Sequence, residues 1–208
     1  MKLFKILATF PAVYSLAITN TEGEAPHGYG IDVPEWDVEV TPGGERITLN
    51  GTVEEVRREL LTLNPRWEED FAFTVSGKDA AESDDDDGLL VKRTDFYGAK
   101  YVCRKWSNAR YKPISNGIKY LRGVSGRPVA GPGPGNCARV SCSYDSAIWW
   151  CNDAKESKTL NSFGSIADGA QYVLNNCVLP STGGTYPPVN GQVFHKTHWN
   201  VIVRGASC

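Results

Sequence analysis

The chain has 208 residues, of which 41% are hydrophobic, and a formal net charge of −2. This near-neutral total conceals two parts of opposite sign: residues 18–93 carry a net charge of −12, whereas residues 94–208 carry +8. No apolar run approaches the roughly 18 residues that a membrane-spanning helix needs, so we expect no transmembrane segment.

The chain begins with the pattern of a secretory signal peptide. Lys2 and Lys5 precede a mainly apolar run over residues 6–16, and Ser15 and Ala17 are small residues suited to cleavage after Ala17. The sequence therefore predicts a signal peptide over residues 1–17 and a secreted, extracellular protein whose cysteines lie in an oxidising compartment.

Residues 18–93 are predicted to form an acidic pro-segment with some structure of its own. Period-two alternation over residues 36–40 and 46–49, around turn residues 41–44, indicates a hairpin. A helix is expected to follow, because Thr52 and Glu55 match a capping box. Its apolar face and its end are marked by Val53, Val56, Leu60, Leu63 and Asn64-Pro65. The Asn50-Gly51-Thr52 triplet makes Asn50 a possible glycosylation site, although capping by Thr52 competes with it.

An acidic linker over residues 79–88 leads to the dibasic step Lys92-Arg93, where charge and cysteine content both change. We expect a maturation protease that cuts after Lys-Arg to separate residues 18–93 from residues 94–208. Opposite net charges favour docking of the pro-segment on the mature domain, which would mask it or help it to fold. The alternative is a leader that serves only solubility and targeting.

Residues 94–208 are predicted to form one disulfide-stapled α+β domain. The pattern predicts a strand over residues 99–106 and a helix that starts at Pro113 and buries Ile114, Ile118 and Leu121. A hairpin over residues 138–151, a helix over 163–177 with Ser162 as its N-cap, and a hairpin over 192–204 follow. This order predicts two helices packed on one face of an antiparallel sheet, as in a split β-α-β sandwich.

The chain has six cysteines, all after Arg93: Cys103, Cys137, Cys142, Cys151, Cys177 and Cys208. They predict three disulfides, but six cysteines allow 15 pairings and the sequence does not choose among them. Cys142 and Cys151 flank one hairpin and could face each other, while Cys177 could reach Cys103 or Cys208. The spacings do not match zinc sites, so neither a metal nor another cofactor is expected.

His195 and His198 are the only histidines of the mature domain, and both lie at a predicted hairpin turn. Together with Arg204, and with Asp145 or Asp168 as a carboxylate partner, they are the candidate acid/base groups of a small nuclease or hydrolase. An ordinary exposed turn is the stronger explanation of the two histidines. The chain has no nucleophile elbow, phosphate loop or zincin motif, and the mature domain has few carboxylates for a glycosidase.

Cationic and aromatic residues interleave in the first third of the mature domain, as a surface for anionic lipid, cell-wall polymer or nucleic acid would require. The alternative is a solubilising face over core aromatics. Trp149 and Trp150 are adjacent on a strand and must point to opposite faces, so one is expected to be available for carbohydrate or partner contact. The candidate binding residues are Arg104, Lys105, Trp106, Arg110, Tyr111, Lys112 and Trp149.

The layout of leader, acidic pro-segment and basic six-cysteine domain resembles the small cysteine-rich secreted proteins of fungi, above all killer-toxin-like proteins and related necrosis-inducing effectors. The resemblance rests on Cys103, the helix around Ile118, Cys137, Cys142, Trp150-Cys151, the helix ending at Cys177 and the final strand ending at Cys208. It implies a non-enzymatic virulence protein that acts on a host protein or a competing microbe. The remaining alternatives are a nuclease or hydrolase using His195 and His198, and a cell-wall or glycan-binding protein.

Overall fold

The structure is a computed structural model that describes residues 25–71, 94–180 and 186–208. The predicted signal peptide, the acidic linker and the Lys92-Arg93 step lie outside these residues. The first range contains β1 (Gly30–Asp32), β2 (Glu35–Glu39), β3 (Arg46–Asn50), α1 (Val53–Leu63) and α2 (Trp67–Asp70). The others contain β4 (Tyr101–Cys103), β5 (Ala109–Arg110), α3 (Tyr111–Gly123), β6 (Val129–Ala130), β7 (Asn136–Ser143), β8 (Ser146–Asn152), β9 (Lys158–Thr159), α4 (Gly164–Cys177), β10 (Pro188–Val189), β11 (Gly191–His195) and β12 (Trp199–Gly205).

A sheet in the order β1-β7-β8-β12-β11-β4 forms the centre of the protein, and the predicted α+β class is confirmed. Both hairpins predicted within residues 94–208 are present. The β7–β8 turn places Tyr144 and Asp145 at φ angles of 48° and 57°, the left-handed region that a tight two-residue hairpin turn requires. The sheet is not wholly antiparallel, because β1 pairs with β7 in the parallel sense.

Helices α3 and α4 pack against each other and against the sheet, with α3 on β7 and β8 and α4 on β11 and β12. Ile114, Ile118 and Leu121 are buried under α3, as their spacing predicted. Helix α1 also packs on α3 and β7. The helical layer therefore includes a helix from the predicted pro-segment in addition to the two predicted helices.

Three local predictions are corrected. Helix α4 begins at Gly164 without a side-chain cap, and the Ser162 hydroxyl has no hydrogen-bond partner among the described residues. The predicted strand over residues 99–106 is shortened to β4, since Arg104 has a φ of 64° and leaves the extended conformation. Leu63 is 50% exposed, because only the earlier apolar positions of α1 face the core.

The hairpin and helix predicted within residues 18–93 are confirmed as β2–β3 and α1. The Glu55 carboxylate accepts a hydrogen bond of 2.7 Å from the Thr52 backbone N–H, which is one half of the capping box. Residues 25–71 share one hydrophobic cluster with the helices of residues 94–208. The Trp36 ring, which is fully buried, stacks on Phe163 with a centroid distance of 4.0 Å.

The second face of the sheet, opposite the helices, is also covered. Residues 25–32, here called the arm, run along this face and end in β1, and Tyr29 and Trp106 pack against its buried cluster. Trp149 lies in that cluster and is 1% exposed, while Trp150 is 1% exposed in the core under the helices. The two rings do point to opposite faces, but the expectation that one of them is exposed is wrong, because both faces are covered.

Three disulfides join all six cysteines, as predicted, in the pairs Cys103–Cys177, Cys137–Cys151 and Cys142–Cys208. The suggested Cys142–Cys151 pair is wrong. The β7–β8 register places Cys151 opposite Cys137 and places Cys142 opposite Ala147. All three bonds lie within residues 94–208, so no disulfide joins that part to residues 25–71.

Glu54 brings a carboxylate to the contact between α1 and β7. It accepts hydrogen bonds from the Ser141 hydroxyl at 2.6 Å and from the Cys142 backbone N–H at 3.0 Å. Burial raises the pKa of Glu54, although these hydrogen bonds act in the opposite direction. Docking of residues 25–71 is therefore coupled to the protonation of this group.

We expect Glu54→Gln to flatten the pH dependence of stability. An acid whose pKa is raised on folding stabilises the protein fully below its unfolded-state pKa, and this contribution is lost as the pH rises through the folded-state pKa. The contribution of Glu54 to the free energy of unfolding should thus fall as the pH rises above about 4.5, the ordinary value. Urea unfolding at a series of pH values measures the slope. Glu59→Gln, on an exposed position of the same helix, should keep the wild-type slope, and an unchanged slope in Glu54→Gln contradicts this account.

Candidate functional site

Residues 104–112, here called the cationic loop, leave β4, cross the end of the sheet and enter α3. Four of the candidate binding residues, Arg104, Lys105, Arg110 and Lys112, are exposed there, while Trp106 and Tyr111 are half-buried. They remain exposed although residues 25–71 are docked. Six of the seven candidate binding residues therefore lie in one segment at the protein surface. The seventh, Trp149, lies on the buried second face of the sheet.

The cationic loop is held in place by Asn190, which is 2% exposed. The Arg104 backbone N–H donates to the backbone carbonyl of Asn190 at 3.4 Å, and the Trp106 backbone N–H donates to the side-chain oxygen of Asn190 at 3.2 Å. The side-chain amide N–H of Asn190 donates in turn to the side-chain oxygen of Asn108 at 2.7 Å. Sequence reasoning missed Asn190, because nothing in its neighbourhood marks an asparagine that bonds a segment more than 80 residues away.

Further anchors hold the start and the middle of the cationic loop. Cys103, just before it, is bonded to Cys177 at the end of α4. The Ser107 hydroxyl donates to the Gly205 carbonyl at 2.8 Å, and the Gly205 N–H donates to the Ser107 carbonyl at 2.9 Å. A chain segment with these bonds loses little further conformational entropy when it binds a partner, so its charges are preorganised.

Cations lie over aromatic rings along this surface. Lys105 Nζ and Arg204 Cζ are 5.1 Å and 5.8 Å from the centroid of the Trp106 ring, and Lys112 Nζ is 5.5 Å from that of Tyr186. A groove of about 380 Å³ adjoins them, with Arg204 and Asp145 in its lining. Arg204 thus belongs to the cationic surface.

The histidine turn has a different environment. The His195 ring stacks on Trp199 at 4.7 Å, meets Phe96 edge-on at 5.3 Å, and its Nδ1 lies 2.9 Å from the Thr197 hydroxyl. Burial, followed by repulsion from Lys196 and Lys158, lowers the pKa of His195. His195 is therefore neutral at pH values where a free histidine begins to protonate.

The candidate catalytic groups are not gathered into one site. His198 is exposed in the turn at a φ of 59°, next to the start of β12, whereas Arg204 is near the other end of that strand. At about 3.3 Å per residue, five residues separate Trp199 from Arg204 by roughly 17 Å. Asp145 lies at the Arg204 end of the sheet, and Asp168 is engaged elsewhere.

Asp168 receives the first residue after the predicted cut. The Thr94 backbone N–H donates to its Oδ2 at 2.8 Å, and Arg122 pairs with its Oδ1 at 3.2 Å. The Asp168 side chain is 13% exposed and borders a cleft of about 860 Å³ that Phe71 also lines. A largely buried carboxylate thus faces the backbone nitrogen that a cut after Arg93 would turn into an α-amino group.

The remaining candidate, Asn50, is exposed at the end of β3, while Thr52 of its sequon is buried in the capping box. Within residues 25–71, 94–180 and 186–208, no group of three or more His, Cys, Asp or Glu side chains is placed to hold a metal ion. None of the helices in this part of the chain is long and apolar enough to cross a membrane.

Comparison of the chain with protein-family models, with curated proteins and with solved structures finds no match.

Proposed function

We propose that the protein is a secreted, protease-matured toxin or effector whose mature domain acts by binding an anionic surface of a host or competitor cell through the cationic loop. The observation that carries this proposal is that the loop with the four exposed cations is anchored, at its start by Asn190 and the Cys103–Cys177 bond and at Arg110 by the Ser146 hydroxyl. Fixed cations next to half-buried aromatic rings suit lipid headgroups at an interface, where rings lie between apolar and polar surroundings.

The contact between Thr94 and Asp168 supports maturation after Arg93. A cut there replaces a neutral N–H donor with an α-ammonium group, and the acceptor is a carboxylate that is already in place. Charge-assisted hydrogen bonds are roughly twice as strong as neutral ones. The cut form therefore gains an ion pair inside the protein, which offsets part of the loss of the chain connection.

Residues 25–71 are proposed to stay bound after the cut. Trp36, Val53 and Leu60 are buried in the cluster that they share with α3 and α4, so their departure would expose a large apolar surface. Since no disulfide joins the described parts across the cut, the product is a non-covalent two-chain protein. The pro-segment then acts as a folding partner and not as a cover over the cationic loop.

The maturation step is tested by Asp168→Asn. We expect this substitution to lower the free energy of unfolding of the cut protein by about 1 kcal/mol more than that of the uncut protein, because only the cut form has the charge-assisted bond. Chemical denaturation before and after treatment with a protease that cuts after Lys-Arg gives the comparison. Asp145→Asn, at an exposed turn position, should change both forms equally. Resistance of the folded chain to cutting at Arg93 contradicts the proposal.

The binding step is tested by charge reversal in the loop. The double variant Lys105→Glu and Arg110→Glu should bind phosphatidylcholine vesicles that contain phosphatidylserine at least about tenfold more weakly than wild type, since each cation near an anionic membrane contributes about 1 kcal/mol. Added salt should weaken wild-type binding. Vesicle co-sedimentation measures both effects, with pure phosphatidylcholine as the blank.

The matched control is Lys119→Glu with Lys155→Glu, which makes the same change in net charge at exposed positions outside the loop. It should retain most of the binding. An equal loss in the control would mean that overall charge, and not the loop, attracts the vesicle. Absence of wild-type binding to the mixed vesicles would overturn the proposed target.

A further inference from the structure

The second sheet face holds buried amide and carboxylate groups around the hydroxyl of Tyr29. Gln192 Nε2 donates to this hydroxyl at 3.0 Å, and Asn200 Nδ2 lies 3.4 Å from it. The two amides also bond each other at 3.0 Å, and Asn200 donates to the Asp153 carboxylate at 2.7 Å. Gln192 and Asn200 are 1% and 0% exposed, so their orientation is set by these bonds.

This arrangement is chemically suited to a neutral hydroxyl group. Two N–H donors point at the Tyr29 oxygen, and Asp153 supplies a nearby negative acceptor; burial and this carboxylate both raise the pKa of Tyr29. An alcohol can accept from the amides and donate to a carboxylate, whereas an anion would be repelled by Asp153. Within this face, the phenol of Tyr29 occupies the position of an alcohol ligand.

The same face contains indole donors without partners. Trp149 and Trp106 have buried Nε1 atoms for which the described residues offer no hydrogen bond. Register places Trp149, Ile202 and Gln192 side by side on neighbouring strands β8, β12 and β11. Buried unpaired donors are uncommon, because each costs about 1–3 kcal/mol. A site with an aromatic ring beside amide groups suits a sugar, because the C–H face of a sugar can pack on the ring while its hydroxyls bond the amides.

The arm is a short segment that ends at the edge of the sheet. Strand β1 has three residues, two of them exposed, lies at the edge of the sheet and pairs only with β7. Gly28, just before Tyr29, has a φ of 88°, and the residues beyond the arm are held separately by the buried Trp36. Local opening of so short a segment costs much less than global unfolding. Tyr29 can therefore leave the face while α1 and the hairpin stay docked.

We propose that the second sheet face is a binding site for a neutral oligosaccharide, with Gln192, Asn200 and Asp153 bonding its hydroxyls and Trp149 contacting its ring, and that Tyr29 blocks this site in the free protein. Trp106 of the cationic loop packs at the border of this site, but the exposed cations of the loop take no part in it, and its use requires no cut at Arg93. The ligand class is the neutral glycan of a cell wall, whether built of glucose, mannose or N-acetylglucosamine.

The test titrates the full chain and its Tyr29→Ala variant with laminarihexaose, mannohexaose and chitohexaose in turn, which distinguishes the three sources. We expect Tyr29→Ala to bind at least one of them at least about tenfold more tightly than wild type, as expected when a competing internal group is removed. Calorimetry gives the affinity, and the Trp149 indole N–H resonance should shift on binding. Adding Gln192→Ala should abolish the gain.

Controls keep the result interpretable. Tyr97→Ala removes a tyrosine that is 95% exposed and should bind like wild type. Asp32→Ala loosens the arm without touching the face, because the Asp32 carboxylate accepts bonds from Val33, Gly131 and Asn136 and from no residue of the face; it should give a smaller gain in the same direction. The proposal is overturned if folded Tyr29→Ala and Asp32→Ala bind none of the three sugars, or if Gln192→Ala leaves the gain unchanged.

Discussion

Replacing Trp36 with alanine is expected to lower the free energy of unfolding by about 3–5 kcal/mol, the range for large aromatic residues removed from a core. Trp36 is fully buried, stacks on Phe163 at the start of α4, and its indole N–H donates to the Gly51 carbonyl at 2.8 Å. The substitution therefore leaves a cavity between residues 25–71 and the helices of residues 94–208 and removes a stacking pair. Urea denaturation of the full chain measures the loss.

Leu63→Ala is the matched control for this prediction. Leu63 belongs to the same part of the chain but is 50% exposed, so its truncation should cost no more than about 0.5 kcal/mol. A loss below about 1 kcal/mol for Trp36→Ala would contradict an integrated core, and residues 25–71 would then be only loosely attached to the rest of the protein.

Removal of the Cys103–Cys177 bond by serine substitution at both positions should cost about 4 kcal/mol. The bond joins residues 74 positions apart, and a cross-link over a longer loop removes more entropy from the unfolded chain. It also holds the start of the cationic loop. We therefore expect the double variant to bind phosphatidylserine vesicles more weakly, even under conditions where it remains folded.

Serine substitution of Cys137 and Cys151 supplies the comparison. That bond spans only 14 positions within one hairpin, so its loss should cost about 3 kcal/mol and should leave vesicle binding unchanged. Guanidinium denaturation under non-reducing conditions measures both variants. If the two losses of stability are equal, the length of the closed loop does not set the contribution of these bonds. If both variants bind vesicles equally well, the Cys103–Cys177 bond is not needed for binding by the cationic loop.

The sequence alone located the elements whose causes lie within a few residues. Alternation predicted β2–β3 and β11–β12, helical spacing predicted the buried face of α3, and the Thr52–Glu55 pattern predicted the start of α1. Interleaved cations and aromatics likewise identified the cationic loop, because its members are consecutive in the chain.

Tertiary structure decided everything that depends on which segments lie side by side. The partner of Cys142 follows from the β7–β8 register and the path of the C-terminus, and Trp149 is buried because the distant Tyr29 and Trp106 pack over its face. Asn190 and Gln192 look like ordinary polar residues until their partners arrive from other parts of the chain. Local patterns report which conformations a segment favours, whereas burial and hydrogen-bond partners belong to pairs of segments, so only the folded chain determines them.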